Sequence, residues 1–285
     1  MSTVLIDGHH MMHRCAFIQE LQRLKTHSGV PVGPVFGFLR VLGATLKRFK
    51  ATSCIVVWDT GRSTYRKELY PEYKANRVRQ ETISAQELII RKMIELLGMA
   101  SVVLPGYEAD DLIGCAVKQY SDKFDIDIIT GDKDLLQLIG NGVHVYDTMK
   151  NVYYGEEEVM KKFGVRPDQI VDFLAIAGDK VDNIPGVRGL GKVGVGKLLA
   201  EYNSLEEIYE NIDKIVGKTQ EKLIKSKDDA FMSYELASLI TNVEMPDPSS
   251  LGFNPQTSTD LIELFTRLEF NSGLLKLNNL WTLYK

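Results

Sequence analysis

Gly106-Tyr107-Glu108-Ala109-Asp110-Asp111 puts three carboxylates within four residues, where an apolar run, Val102-Val103-Leu104, gives way through Pro105-Gly106 to Leu112, Ile113 and Val117 at helical spacing. A strand should end here and a helix begin. One aspartate at a helix start is commonly a cap for the free N–H groups of the first turn. Capping does not call for three acids, and the arrangement recurs. Thr3-Val4-Leu5-Ile6 ends in Asp7-Gly8, Cys54-Ile55-Val56-Val57-Trp58 ends in Asp59, and Ile126-Asp127-Ile128-Ile129 runs into Thr130-Gly131-Asp132-Lys133-Asp134. If these strands lie parallel, as helix-length separations between them suggest, their carboxyl ends converge on the edge where open α/β sheets bind ligands. At about 4 Å and an effective dielectric of about 20, each like-charge pair costs about 4 kcal/mol, so such a cluster stays ionised only with cations. Oxygen-only donors point to Mg²⁺ or Mn²⁺.

The chain that has to position these groups is 285 residues long and 44% hydrophobic, with no low-complexity tract, enough for one larger domain and a smaller one or for two packed layers. No run approaches a membrane span, and the N-terminus enters a strand directly without the regions of a signal peptide, so a soluble, intracellular protein is expected. Cys15, Cys54 and Cys115 have no metal-ligand or redox spacing and read as reduced packing residues. His9, His10 and His13 lack a fourth ligand at a suitable spacing, so zinc is not expected there. Arg14, close to the acids, could hold a phosphate or pair with one of the carboxylates. The net charge is −4. With nine acids set aside as candidate ligands (Asp7, Asp59, Glu108, Asp110, Asp111, Asp132, Asp134, Asp179 and Asp182), 29 acids face 34 lysines and arginines, a balance of +5. The remainder is mildly basic, which suits a nucleic-acid partner.

Between Gly61 and Arg79, GRSTYRKELYPEYKANRVR sets Arg62, Arg66, Lys67, Lys74, Arg77 and Arg79 among Tyr65, Tyr70 and Tyr73. Cations for phosphates and rings for stacking suit a single-strand groove, while Glu68, Glu72 and Glu81 also suit a solvated helix. Following directly on Asp59, the stretch is expected to overhang the acidic edge. Phe36 to Phe49 and Thr82 to Leu97 read as helices. Beyond Asp134 come a short helix, a strand at Val143-His144-Val145-Tyr146, its hairpin partner Val152-Tyr153-Tyr154, and a helix from Glu156 to Phe163 ending at Gly164. Arg166-Pro167-Asp168 opens another helix that stops at Gly178, and Asp179 and Asp182 follow at a spacing that puts them on one face. Leu205 to Ile215, Thr219 to Lys227 and Ala230 to Thr241 read as helices. An irregular connection through Pro246, Pro248 and Pro255 leads to a last helix capped by Ser258-Thr259, with Leu261, Ile262, Leu264, Phe265 and Leu268 packed back on the body.

Gly186 to Lys197 contains both a dinucleotide-type glycine pattern (Gly189, Gly191, Gly194) and GxxxxGK (Gly191 to Lys197). Each needs a strand before it, where this chain has Asn183-Ile184-Pro185-Gly186, and the second needs Ser or Thr where this chain has Leu198. A nucleotide cofactor is therefore not expected.

IDGHHMMHR, VVWD, YRKELYPEYKANR, PGYEADDLIG, ITGDKDLLQL and GDKVDNIPGVRGLG, in that order, resemble the 5′-nuclease (flap endonuclease) family, which includes the N-terminal 5′ to 3′ exonuclease domain of bacterial DNA polymerase I and free-standing phage enzymes. The resemblance extends to Arg267-Leu268-Glu269-Phe270-Asn271-Ser272. It implies an α/β fold with a mostly parallel central sheet flanked by helices (a PIN-like nuclease domain, 1–165, with a helical arch near 62–97). A helical duplex-binding domain of the helix, three-residue turn, helix type (166–285) would supply two of the acids. It further implies one metal among Asp7, Asp59, Glu108, Asp110 and Asp111 and a second among Asp132, Asp134, Asp179 and Asp182. Two Mg²⁺ ions, Mn²⁺ substituting, about 4 Å apart would activate water and stabilise the leaving oxygen, with no protein general base. Lys74 and Arg77 would steady the scissile phosphate, and Arg14, Arg66, Tyr73, Arg188, Lys192 and Lys197 would contact DNA. K⁺ would sit at the 186–197 loop, where Gly194 and Gly196 depart from the family pattern and predict a longer or softer loop. The implied substrates are 5′ flaps and 5′ ends of branched or duplex DNA, cut to a 5′-phosphate and 3′-hydroxyl during replication or repair. The implied protein is a monomer in the cytoplasm of a bacterial or phage-infected cell, and since the chain ends at Lys285 no polymerase domain is expected to follow. Two alternatives stand beside this: a related metal-dependent ribonuclease, which would lack the glycine-rich duplex-binding segment, and a catalytically silent branched-DNA binder, which would lack some of the nine acids.

Overall fold

The computed structural model describes residues 2–60, 64–76, 81–247 and 258–270. The expected features at Arg62, Arg77, Arg79, Pro248, Pro255, Asn271 and Ser272 lie outside them.

The short runs rich in Val, Ile and Leu form strands β1 (Ser2–Asp7), β2 (Ser53–Trp58), β3 (Ala100–Val103), β4 (Asp125–Ile129), β5 (Val143–Asp147) and β6 (Val152–Tyr154). Such near-continuous apolar strands suit a sheet covered on both faces. They form one sheet in the order β3-β2-β1-β4-β5-β6, parallel except for β6, which returns antiparallel on β5. Strand order reverses at β1, so the crevice at its carboxyl end is the place where such sheets take ligands. Register aligns the ends: Asp7 lies opposite Val57 of β2 and Ile6 opposite Ile129 of β4. Asp59 and Thr130 therefore follow at nearly the same level.

Successive side chains of a strand face opposite ways, and the core divides accordingly. Val4, Ile6, Val56 and Trp58 pack under α1 (Gly8–Ala16), α3 (Gly33–Phe49), α5 (Glu81–Leu96) and α13 (Thr259–Arg267); α2 (Gln19–Gln22) lies against α3. Leu261, Phe265 and Leu268 put the last helix in that layer. Leu5, Ile55, Val57 and Ile128 face the other layer, which includes α6 (Ala109–Tyr120), α7 (Glu156–Phe163), α8 (Ile170–Ala177), α9 (Lys192–Tyr202), α10 (Leu205–Glu210), α11 (Lys218–Lys225) and α12 (Lys227–Ala237). The C-terminal helices thus share a continuous core with the sheet. All three cysteines are buried, and burial pushes the thiols of Cys15 up to about 11 and Cys54 up to about 12. Among the described residues no helix is long and apolar enough to cross a membrane.

Three expectations change. The helix read as Ala230 to Thr241 ends at Ala237, because residues 238–245 run along α6 instead: Ile240 N–H donates to Asp111 Oδ1 (2.9 Å), and Gln119 accepts from Met245 N–H (2.9 Å) and donates to Val243 O (2.6 Å). Side chains of α6 satisfy this backbone as a helix otherwise would. The helix read as Leu205 to Ile215 breaks at Asn211 into α10 and a 3₁₀ turn, Ile212–Lys214. The expected softer loop at Gly194 and Gly196 is instead regular helix, both glycines lying inside α9. Glycine is obligatory slightly earlier: Gly186 has φ +62°, and a Cβ there would collide with the Gly178 backbone.

Candidate metal and phosphate site

The ends of β1, β2 and β4 deliver acids at one level of the sheet, and neighbouring helix starts fix where they point. Asp7 caps α1, its Oδ1 accepting from His10 N–H (2.9 Å) and its Oδ2 from the Thr130 hydroxyl (3.0 Å). Thr130, fully buried beyond β4, also accepts from Asp132 N–H (3.1 Å), so it ties the β1 and β4 acids together. Asp59 Oδ1 accepts from Ala109 N–H (2.8 Å) and its own N–H donates to His9 Nδ1 (3.1 Å). Sequence reasoning missed Thr130 and His9 as positioning residues, although both sit inside the motifs that drew attention. Glu108 starts α6, and its Oε2 accepts from Lys74 Nζ (2.8 Å) and the Tyr73 hydroxyl (3.1 Å). Asp132 Oδ1 accepts from Asp134 N–H (3.0 Å). Asp179 and Asp182 arrive from the loop after α8, which the Asp179–Ile184 backbone pair closes (2.9 and 2.7 Å). Asp134, Asp179 and Asp182 each offer an oxygen within 4.8 Å of the others. Asp134 Oδ1 is buried and takes no hydrogen bond.

Two ammonium groups enter this acidic ground. Lys74 adopts a left-handed backbone (φ +53°), held by its N–H on Asp182 O (2.9 Å), and its Nζ lies 2.8 Å from Glu108 Oε2 and 3.6 Å from Asp182 Oδ2. It stands between the two groups of acids. Burial works against its charge, but Tyr73, Glu108, Asp110 and Asp182 together raise its pKa. Lys133, which sequence reasoning passed over, contacts Asp179 Oδ2 and lies 3.9 Å from Asp134 Oδ1.

Three of the expected site residues are corrected. Arg66, expected on DNA, is 2% exposed; α4 (Thr64–Leu69) turns it inward, where its guanidinium grips Asp111 with two bonds (2.8 and 2.9 Å) and donates to Leu236 O (2.9 Å) and Ser238 O (2.7 Å). Asp111, expected on metal, is 0% exposed, and besides the two bonds from Arg66 it accepts from Glu108 N–H (3.2 Å) and Ile240 N–H (2.9 Å). Its oxygens are filled by protein donors, which makes it a structural anchor. Tyr73, expected to stack on a base, is 3% exposed with its ring in the core. Arg14 is half-buried, and Arg188, Lys192 and Lys197 are exposed. The segment before Gly189 is a loop rather than a strand, so the context of a nucleotide-binding glycine loop is missing.

Crowded carboxylates resist ionisation. Burial, then Asp132, pushes the carboxyls of Asp110 and Asp134 well above the ordinary value of 3.8, and burial also raises Asp7. The folded state then holds more protons than the unfolded chain from pH 3.8 up to these raised values, so stability drains away as pH climbs through that window. In chelator, the melting temperature should fall as pH rises above the ordinary carboxylate value of 3.8, and excess Mg²⁺ should flatten the slope. A slope indifferent to Mg²⁺ would detach these carboxyls from cation binding.

Residues 2–164 match the family described as 5′-3′ exonuclease, N-terminal resolvase-like domain, and residues 165–260 match 5′-3′ exonuclease, C-terminal SAM fold. A 5′-3′ exonuclease of Aquifex aeolicus is 36% identical over 243 residues, covering 85% of this chain and 82% of that protein. DNA polymerase I of Caldicellulosiruptor bescii is 37% identical over 289 residues, 97% of this chain; the chain spans 33% of that polymerase, about a third of its length. The bacteriophage T5 D15 flap endonuclease, solved as a pseudo-enzyme-product complex with DNA and metal ions, superposes with a TM-score of 0.72 at 23% identity over 93% of this chain and 99% of that one, a likeness of fold.

Proposed function

The chain belongs to the 5′-3′ exonuclease family, and we propose that it is a structure-specific nuclease that hydrolyses phosphodiesters at 5′ flaps and 5′ ends of duplex DNA in replication or repair. The observation that carries this is the position of Lys74, whose ammonium joins Glu108 on one side to Asp182 on the other at the switch point of the sheet. The acids fit hard divalent ions, since the donors are all oxygen and Asp134 Oδ1 is buried without a hydrogen bond. Asp7, Asp59, Glu108 and Asp110 would hold one Mg²⁺, Asp132, Asp134, Asp179 and Asp182 another, with Mn²⁺ able to substitute. When bound, such ions supply Lewis acidity at the scissile phosphate and compensate charge on the leaving oxygen.

The protein's own groups do the rest. Lys74 is held ready to meet charge growing on the phosphate, at no cost of reorganisation. Arg14 lies on α1, directly after Asp7, and suits a terminal phosphate. Arg188 in the loop before α9, Lys192 at its first position and Lys197 midway along it are exposed and suit duplex phosphates, with K⁺ on the carbonyls of the 186–197 segment. We read residues 1–165 as the nuclease unit and 166–285 as the duplex-gripping unit of a soluble, cytoplasmic monomer without a nucleotide cofactor.

Lys197→Ala should weaken binding to every duplex sequence alike and lower the slope of log affinity against log salt by about 1, with ATP leaving the melting temperature unchanged. An unchanged slope would take Lys197 off the phosphates. The reading as a whole is tested by incubating a 5′-labelled flap duplex with the protein in Mg²⁺ or chelator and mapping the products. Mg²⁺-dependent cuts at the flap junction and from the 5′ end, leaving 5′-phosphates, are expected; cleavage confined to RNA, or none, would overturn it.

A further inference from the structure

The cluster of Asp134, Asp179 and Asp182 has an unequal share of partners. Asp179 Oδ1 accepts from Val181 N–H (2.9 Å), and Asp182 Oδ2 faces Lys74 Nζ at 3.6 Å, while Asp134 Oδ1 is buried without a hydrogen bond. Among the described residues a second cation at this cluster is Lys133, one residue before the 3₁₀ turn Asp134–Leu138, with Nζ against Asp179 Oδ2 and 3.9 Å from Asp134 Oδ1. An ammonium on a flexible four-carbon stem can rotate away, which a guanidinium locked as Arg66 is cannot. A divalent ion using Asp179 Oδ2 would have to take an oxygen Lys133 already holds, and would be repelled by the ammonium if it stayed.

We infer that Lys133 is a built-in counter-ion of this cluster, neutralising it when metal is absent and yielding to a divalent cation, so that this lysine sets how weakly the cluster holds its metal. The inference rests on the nuclease reading for the presence of that cation. It gives Lys133 a role apart from DNA, and apart from Lys74, which reaches the cluster from a different segment.

The test is Mn²⁺ binding to the full chain without DNA, followed by calorimetry and by the electron paramagnetic resonance of free Mn²⁺, for wild type, Lys133→Met, Lys133→Gln and Lys133→Arg. Both neutral variants should tighten one class of site by about tenfold or more and leave the other unchanged, while Lys133→Arg, which keeps the charge, stays near wild type. Without metal the neutral variants should melt lower than wild type and recover more on adding Mn²⁺. Unchanged or weaker binding in both neutral variants would overturn the role of Lys133 while leaving the nuclease reading intact. Absence of Mn²⁺ binding in every variant, wild type included, would instead overturn the cation site itself and the inference with it.

Discussion

Asp134→Asn should cut phosphodiester cleavage by on the order of 10²-fold or more while raising the melting temperature of the metal-free protein. The two effects share one cause. Asp134 is 7% exposed, with one oxygen that makes no hydrogen bond, and burial together with Asp132 holds its carboxyl well above the ordinary range. Without metal, an ionised carboxylate there is a liability, and an amide of the same shape removes the charge. With metal, that charge is what the site needs. A residue kept for packing would behave in the opposite way, losing stability and sparing turnover. Near-wild-type turnover would take Asp134 out of the working site, and a lower metal-free melting temperature would show that the buried charge is better compensated than these contacts allow.

Arg66→Ala should destabilise the fold by about 3–5 kcal/mol, a drop in melting temperature on the order of 10 °C, because it leaves Asp111 charged and buried without its partner. The guanidinium joins four points: both Asp111 oxygens and the carbonyls of Leu236 and Ser238. It therefore fastens α4, the start of α6 and the segment after α12 to one another, and Glu108 with them, since Asp111 also accepts the Glu108 N–H. Lysine cannot span those acceptors, so Arg66→Lys should recover only part of the loss. Well below the melting temperature, DNA affinity should change little. A surface DNA contact would show the reverse, weaker binding at unchanged stability.

The strand-end acids of the candidate site were legible as a converging group because each follows an apolar run, and the parallel sheet brings such ends together by its topology. Asp7, Asp59, Glu108 and Asp132 needed no more than that pattern. Arg66, Tyr73 and Asp111 were misread because residue type says which groups can bind phosphate or metal, not which way a short helix turns; α4 itself turns Arg66 into the core, and the turn after it buries Tyr73 and brings Lys74, next in sequence, to the acids. The end of α12 was misread for a similar reason. Leu239 and Ile240 continue the apolar stripe that led to the reading of a helix as far as Thr241, yet Asp111, Cys115 and Gln119 of α6 bind the backbone of this segment, a competition that lies more than a hundred residues away in sequence. Gly194 and Gly196 suggested a longer or softer loop because they depart from the family pattern, whereas α9 is anchored by the burial of Val195, Leu198 and Leu199. Lys133 was passed over because its place between Asp132 and Asp134 says nothing of its reach to Asp179, which a distant loop delivers.

On the proposed function the carboxyl edge of this sheet would hold two divalent cations on separate groups of acids. Crystals of the full chain grown with Mn²⁺, measured at the manganese absorption edge, test it most directly. The account expects two anomalous peaks: one in contact with Asp134, Asp179 and Asp182, the other in contact with acids from Asp7, Asp59, Glu108 and Asp110, with Asp111 still clamped by Arg66. A peak coordinated by Asp111, or no peak within reach of Asp134, would contradict it.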